Sequence, residues 1–314
     1  MQIVGIEYDD KWLKCGRIQN TDKPEFVKQK QFAVDKKGVL ALDAWLDECC
    51  GGDRTALSVA LILSDENAMA IADHMYSRGF AVLPITASNA YKQYRLNRGR
   101  KALSDIIAAQ ATKRQQHWKP LSKPCLALRS ALFDREIARV NLEQNQARNA
   151  SYSGQAFDFL MKLTQNAADI HADRLQAAED EIAKVVRNTT VFKRDFERLM
   201  TIPGMTELAA QSMVYFFHAF PADNARKAAA CLGLDKGSRL SLNDYRNEDV
   251  RIVRAPLYAV TKAAMTQIPS VKSLSERLAA RGKSEKSVMI AAMHKIVVMA
   301  HTMIRKESDF QSEK

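Results

Sequence analysis

Strand-like patterning opens the chain. Residues 2–8 read as a strand, Asp9 and Asp10 as a turn, and residues 12–18 as the returning strand. Residues 25–34 fit a third strand, with Phe26, Phe32 and Val34 as its apolar members. Residues 41–46 have helical spacing, and the continuous apolar run 56–64 is expected of a strand buried on both faces. A helix over 67–78 follows, capped by Gly79, and then a strand over 80–85. Ser104 is placed to cap a helix whose first turn holds Asp105, where the helix dipole favours a carboxylate.

Three strands, a helix, a strand, a helix, a strand and a last helix make an RNase H-like (RuvC-like) order. Its first three strands form an antiparallel meander, and the later strands are added through right-handed crossovers. Strand one is then central and strand four lies beside it. Glu7 on strand one, Asp65 and Glu66 after strand four, and Asp105 at the start of the last helix would be neighbours. Several carboxylates around two cations about 4 Å apart are what two-metal phosphoryl transfer requires. Each acid also has a plainer role. Asp65 and Glu66 suit a turn or an N-cap, Asp105 suits a helix start, and Glu7 on a central strand needs a partner or a metal.

Beyond Pro120 and Pro124, residues 126–149 and 155–187 are long, polar and almost free of breakers, which predicts a helical hairpin. Leu160, Leu163, Ala167, Ile170, Ala178, Ile182 and Val185 form an incomplete stripe, suited either to the hairpin's own seam or to a dimer contact. Arg129, Arg135, Arg139 and Arg148 could track a phosphate backbone or simply face solvent. Pro203 and Gly204 make a turn before a helix over 207–218, where backbone amides could bind phosphate or serve only as a connection. A helix ending at Gly233, a basic segment with Lys236, Arg239 and Ser241, and helices over 251–267 and 284–306 complete the chain. The methionines of the last helix read as core filler. Three domains are expected: 1–118 (RNase H-like), 119–190 (hairpin) and 191–314 (mainly helical), an α/β fold followed by an all-α part.

Charge changes this picture most. Lys and Arg number 47 against 36 Asp and Glu, giving +11, which favours polyanionic partners such as nucleic acid. Apolar runs such as 56–63 fall far short of the roughly 20 residues a bilayer requires, so no membrane partner is expected. The chain opens on a strand and not on a signal peptide's basic-then-apolar layout. The five cysteines make no C-x-x-C pair, which points to reduced thiols in a cytoplasmic setting.

In order and spacing, several short motifs resemble those of the DEDD-type transposases of insertion sequences and the Piv-type DNA invertases. Gly5-Ile6-Glu7 resembles the family's Gly-Ile-Asp opening, and residues 101–109 its Lys-Thr-Asp-x-x-Asp-Ala motif. Residues 199–204 resemble its Leu-x-x-Ile-Pro-Gly segment, and Leu232-Gly233-Leu234 the Gly-Leu before its Ser-Gly. Arg254 with Leu257-Tyr258 resembles its Leu-Arg-x-x-Leu-Tyr helix, and Gly282-Lys283 with residues 291–295 its closing segment. The resemblance implies a RuvC-like domain, a coiled-coil linker and a C-terminal transposase domain with a nucleophilic serine. It also implies magnesium-dependent DNA recombination by a homo-oligomer (dimer or tetramer), with a structured guide RNA in the insertion-sequence branch.

Carried over by position, Glu7, Asp65 or Glu66, and Asp105 become the metal ligands, with Glu7, Asp105 and Ser241 catalytic. Arg98, Arg100, Lys101, Gly204, Lys236, Arg239 and Arg254 become nucleic-acid contacts. Four positions depart from the pattern. Glu7 replaces the first Asp, Ala108 the fourth acid, Leu242 the Gly after the serine, and Thr206 the second Gly of the Pro-Gly motif. Magnesium demands near-octahedral oxygen ligation, so a missing acid weakens such a site. Two functions therefore stand: an impaired recombinase, or an inactive DNA- or RNA-binding protein derived from one.

Overall fold

The structure is a computed structural model that describes residues 2–9, 11–19, 26–63, 66–85, 87–97, 100–112, 118–152, 158–234 and 247–311. It divides into an α/β unit, residues 1–120 with 240–247, and a helical unit, residues 121–239 with 248–314. In the first, β1 (Gln2–Tyr8), β2 (Trp12–Ile18) and β3 (Phe26–Ala33) form an antiparallel meander. Then come α1 (Lys36–Cys50), β4 (Leu57–Ile62), α2 (Glu66–Ser77), β5 (Ala81–Ile85), α3 (Ala87–Leu96) and α4 (Leu103–Ala111). The sheet order is β3-β2-β1-β4-β5, with β4 parallel to both β1 and β5. Strand one is central and strand four is beside it, as the element order predicts.

Strand alternation sorts the two faces of this sheet. Val4, Ile6, Leu13, Cys15, Val59 and Leu61 pack with Leu42, Trp45 and Leu46 of α1 and with Ala72 and Met75 of α2. On the other face Ile3, Ile18, Ala60 and Leu83 pack with Leu103, Ile107 and Ala108 of α4. Gly5 and Gly16 lie on that second face and are direct cross-strand partners. A Cβ on Gly5 would collide with the carbonyl oxygen of Ser104 and come within 2.6 Å of the Ala108 amide nitrogen. One on Gly16 would collide with the Asp105 carboxylate and come within 2.9 Å of the Asp105 amide nitrogen. The glycine pair lets the α4 backbone lie almost on the strands.

That close seating overturns the expected cap. Ala102, not Ser104, precedes the first turn of α4, and no side chain caps it. Ser104 lies inside the helix at 1% exposure, its hydroxyl buried without a hydrogen-bond partner. The helix begins earlier because Leu103 is part of the apolar layer beneath it. Pro124 likewise belongs to a helix start: Ser122 caps α5 (Lys123–Ser151) by accepting from the Cys125 amide at 3.4 Å.

In the helical unit α5 and α6 (Asp158–Asn188) form the predicted antiparallel hairpin, tied by Arg135–Glu179 and Asn149–Gln165, each at 2.9 Å. The covered face of α6 runs Met161, Thr164, Ala168, His171, Leu175, Ala178 and Ile182, alternating three and four residues as in a coiled coil. The sequence stripe therefore divides. Ala178 and Ile182 are buried, whereas Leu160, Leu163 and Ile170 face outward with Phe159. The rest comprises α7 (Thr190–Met200), α8 (Glu207–Ala219), α9 (Ala225–Cys231), α10 (Asn247–Gln267), α11 (Pro269–Ala280) and α12 (Glu285–Lys306). Met289, Met293 and Met303 of α12 are buried, as expected of core filler. With a mean hydropathy of 1.5, α12 is long and apolar enough to cross a bilayer by length and composition, which the run-length reading overlooked. Half of that stretch is buried within its unit.

Gly5→Ala should destabilise the protein by about 1–3 kcal/mol, because a backbone must move to admit the methyl group. Gly282→Ala, at a left-handed turn with open space around it, should cost about 1 kcal/mol or less. Chemical denaturation of the two variants checks the order; equal losses would contradict the seating of α4.

Candidate functional site

Glu7 lies two residues beyond Gly5 on the face that carries α4, paired in register with Lys14 of β2. The Lys14 ammonium is 2.7 Å from the Asp9 carboxylate and 3.7 Å from that of Glu7. Asp9 is the closer partner, and its hydrogen bond to Lys14 helps hold its pKa down, to about 2. The same pair of acids, Asp9 first, raises the Lys14 pKa. Glu7 is thus a partly exposed carboxylate beside a lysine, not a buried charge in need of a metal.

Asp105 sits over Gly16. One carboxylate oxygen accepts a 2.8 Å hydrogen bond from the Gln29 amide of β3, and the other is buried with no partner. Burial pushes its pKa up, against the Gln29 hydrogen bond and the Lys101 charge, which pull it down. Along β1, Glu7 is one same-face step from the glycine row on which Asp105 rests, about 7 Å at strand spacing. Ala108, where the resemblance expects the fourth acid, is wholly buried above Gly5. A carboxylate there would have to fit into the close contact between α4 and β1.

Asp65, Arg98, Lys236, Arg239 and Ser241 lie outside the described residues, as does Leu242. Glu66 opens α2, but its side chain also lies outside them. Among the described residues no three His, Cys, Asp or Glu side chains are grouped to hold a metal ion. Glu7 and Asp105, the described acids of the set, do not by themselves fit a magnesium pair: one leans on Lys14, and the other is held toward β3.

The remaining candidates separate by what they touch. Gly204 has φ +78, and a Cβ on it would lie 2.7 Å from that of Ala263 on α10. Its turn is packed down between buried Ile202 and Met205. Thr206 accepts from the Ala209 amide at 3.3 Å and caps α8, which accounts for a threonine where a second glycine was expected. Arg254 is half-buried on α10. Arg100 and Lys101 are exposed at the approach to α4.

The hairpin arginines mostly have partners. Arg129 bonds Asp249, which is 1% exposed, at 2.7 Å, and Arg135 bonds Glu179. Arg139 bonds both Glu136 and Glu143, leaving Arg148 exposed near the tip. A phosphate track along that face would need these pairs broken.

Sequence patterning missed α3 altogether, and with it the exposed residues Tyr91, Lys92, Tyr94 and Arg95. The available signal was chemical, not periodic: tyrosines interleaved with bases, in a stretch from residue 74 to 104 that contains no Asp or Glu. No family model and no curated protein matches the chain, so its function is argued from its own residues.

A raised pKa means that folded protein holds the Asp105 proton to higher pH than the unfolded chain does. The stability this contributes is lost as pH rises above the ordinary value of 3.8. Asp105→Asn, which keeps the shape without the charge, should therefore be more stable than the native chain at neutral pH without divalent cations. The advantage should vanish below about pH 3. Denaturation midpoints across that range check it; a neutral-pH loss would mean that the carboxylate is anchored as an anion.

Proposed function

We propose that this chain is a nucleic-acid-binding protein built on an RNase H-like (RuvC-like) domain, related to the DEDD-type transposases and Piv-type invertases, without a working two-cation centre. The seating of α4 carries the proposal: Ala108 is pressed onto Gly5, and the neighbouring Asp105 is directed toward Gln29. The strand order, the three-strand meander and the following helical hairpin support the RNase H-like assignment. The net charge of +11 supports the nucleic-acid partner, DNA or a structured RNA. Self-association, which the resemblance implies, has a candidate contact in the outward stripe Phe159, Leu163 and Ile170 of α6.

One observation favours an active recombinase instead. The second oxygen of Asp105 is buried without a partner, a defect that a cation shared with Asp65 or Glu66 would satisfy. In that case magnesium-dependent strand cleavage or transfer by the native chain should disappear in Asp105→Ala and Ser241→Ala.

For the binding protein, affinity should fall with salt, by roughly a thousandfold between about 50 and 200 mM if about six phosphates are contacted. It should be indifferent to exchange of magnesium for a chelator, and to Ser241→Ala. Fluorescence anisotropy with labelled DNA and RNA measures both. Loss of binding on chelation, or a magnesium-dependent strand product, would overturn the proposal.

A further inference from the structure

We infer that α3 is a stacking platform for unpaired bases, with Tyr91 and Tyr94 as the platform and Lys92, Arg95 and Arg100 as its phosphate contacts. The inference rests on the nucleic-acid function proposed above and narrows its ligand to a single strand.

Helix α3 is built in reverse of a packing helix. Among its described side chains the covered ones are the small Ala87 and Ala90, the latter packed with Leu103, Ile107 and Ala111 of α4. All six residues from Tyr91 to Leu96 are exposed. Tyr91 is 45% and Tyr94 38% exposed, large aromatic surfaces that a purely structural helix would turn inward. At a spacing of three they share one side of the helix, and Arg95, four after Tyr91, lies on that side too. The Arg95 Nε donates to the Tyr91 carbonyl oxygen at 3.4 Å, which holds the guanidinium back along the helix toward the turn that carries Tyr91. Beyond the helix, Asn97 closes the turn onto the Gln93 carbonyl, and the Arg100 amide donates to the Asn97 carbonyl at 3.0 Å. This fold-back keeps Arg100 at the end of α3.

Charge identifies the occupant. From Ala87 to Ser104 the chain carries Lys92, Arg95, Arg98, Arg100 and Lys101 with no acidic residue. The hairpin arginines, in contrast, are mostly matched by Glu179, Glu136, Glu143 and Asp249. A surface of aromatic rings set among bases matches a strand that offers both π-faces and phosphates. In a duplex the base faces are already stacked on each other, so only an unpaired strand can use the tyrosines. Stacking and phosphate contact are common to DNA and RNA, so the sugar is a matter for measurement.

The test uses the full chain and anisotropy with labelled oligothymidylate, oligouridylate and a mixed-sequence duplex. Single strands should bind more tightly than the duplex. The double variant Tyr91→Ala/Tyr94→Ala should weaken strand binding about tenfold or more, with duplex affinity and the salt slope unchanged. Tyr91→Phe/Tyr94→Phe should restore strand binding, because the ring and not the hydroxyl stacks. Lys92→Gln/Arg95→Gln should instead reduce the single-strand salt slope by about 1.4, or about 0.7 per lost phosphate contact. Equal strand binding by the native and alanine chains overturns the platform while leaving the nucleic-acid function standing. Absence of all nucleic-acid binding at low salt overturns both. Unchanged strand binding with a changed sedimentation coefficient in the alanine variant would make the tyrosine face a protein contact, and would also overturn the platform.

Discussion

The approach of one helix to two glycines governs the α/β unit. Because Gly5 and Gly16 face each other across β1 and β2, the backbone of α4 can rest on the strands at Ser104, Asp105 and Ala108. At these two glycines, van der Waals contact at that range leaves no room for a side chain on the strands. It fixes Asp105 over the outer half of the meander and buries position 108. An acid at 108 would have to displace either the helix or the central strand. The chemistry open to this face therefore follows from packing before it follows from charge.

Much of this fold was legible because its strands obey simple patterns. The meander, the buried β4 run and the order of the strands can be read from apolar spacing, and the strand ends differ from expectation by a residue or two. The start of α4 was not legible, since Ser104 has the right chemistry for a cap and only the burial of Leu103 moves the start earlier. Helix α3 was invisible for the opposite reason. It is short and polar overall, and its large residues point outward, so no apolar run announces it. Of the candidate site, the expectation was that Glu7 and Asp105 reach one spot; both lie on the side of the sheet that carries α4, each with its own partner. Their separate partners, Lys14 and Gln29, come from strand register that sequence spacing does not specify.

The distribution of ion pairs sorts a uniformly basic chain into working and structural charge. Arg135 ties the two hairpin helices together, Arg129 pins the hairpin to α10 and Arg139 pairs within α5, so their charge is cancelled locally. Along α3 the sequence supplies no acids, and Lys92 and Arg95 are exposed, which suits contact with a polyanion. The Pro-Gly turn follows the same division: Gly204 is needed for its left-handed backbone and for room beside Ala263, and Thr206 for its cap.

The central claim is that the carboxylates of the α/β unit do not assemble a cation pair. Titration with Mn2+, followed by electron paramagnetic resonance, tests it most directly, because two ions about 4 Å apart couple magnetically. The account predicts only weak, uncoupled Mn2+ signals, identical in the native chain and in Asp105→Ala. A coupled pair of ions in the native chain that disappears in Asp105→Ala would contradict it.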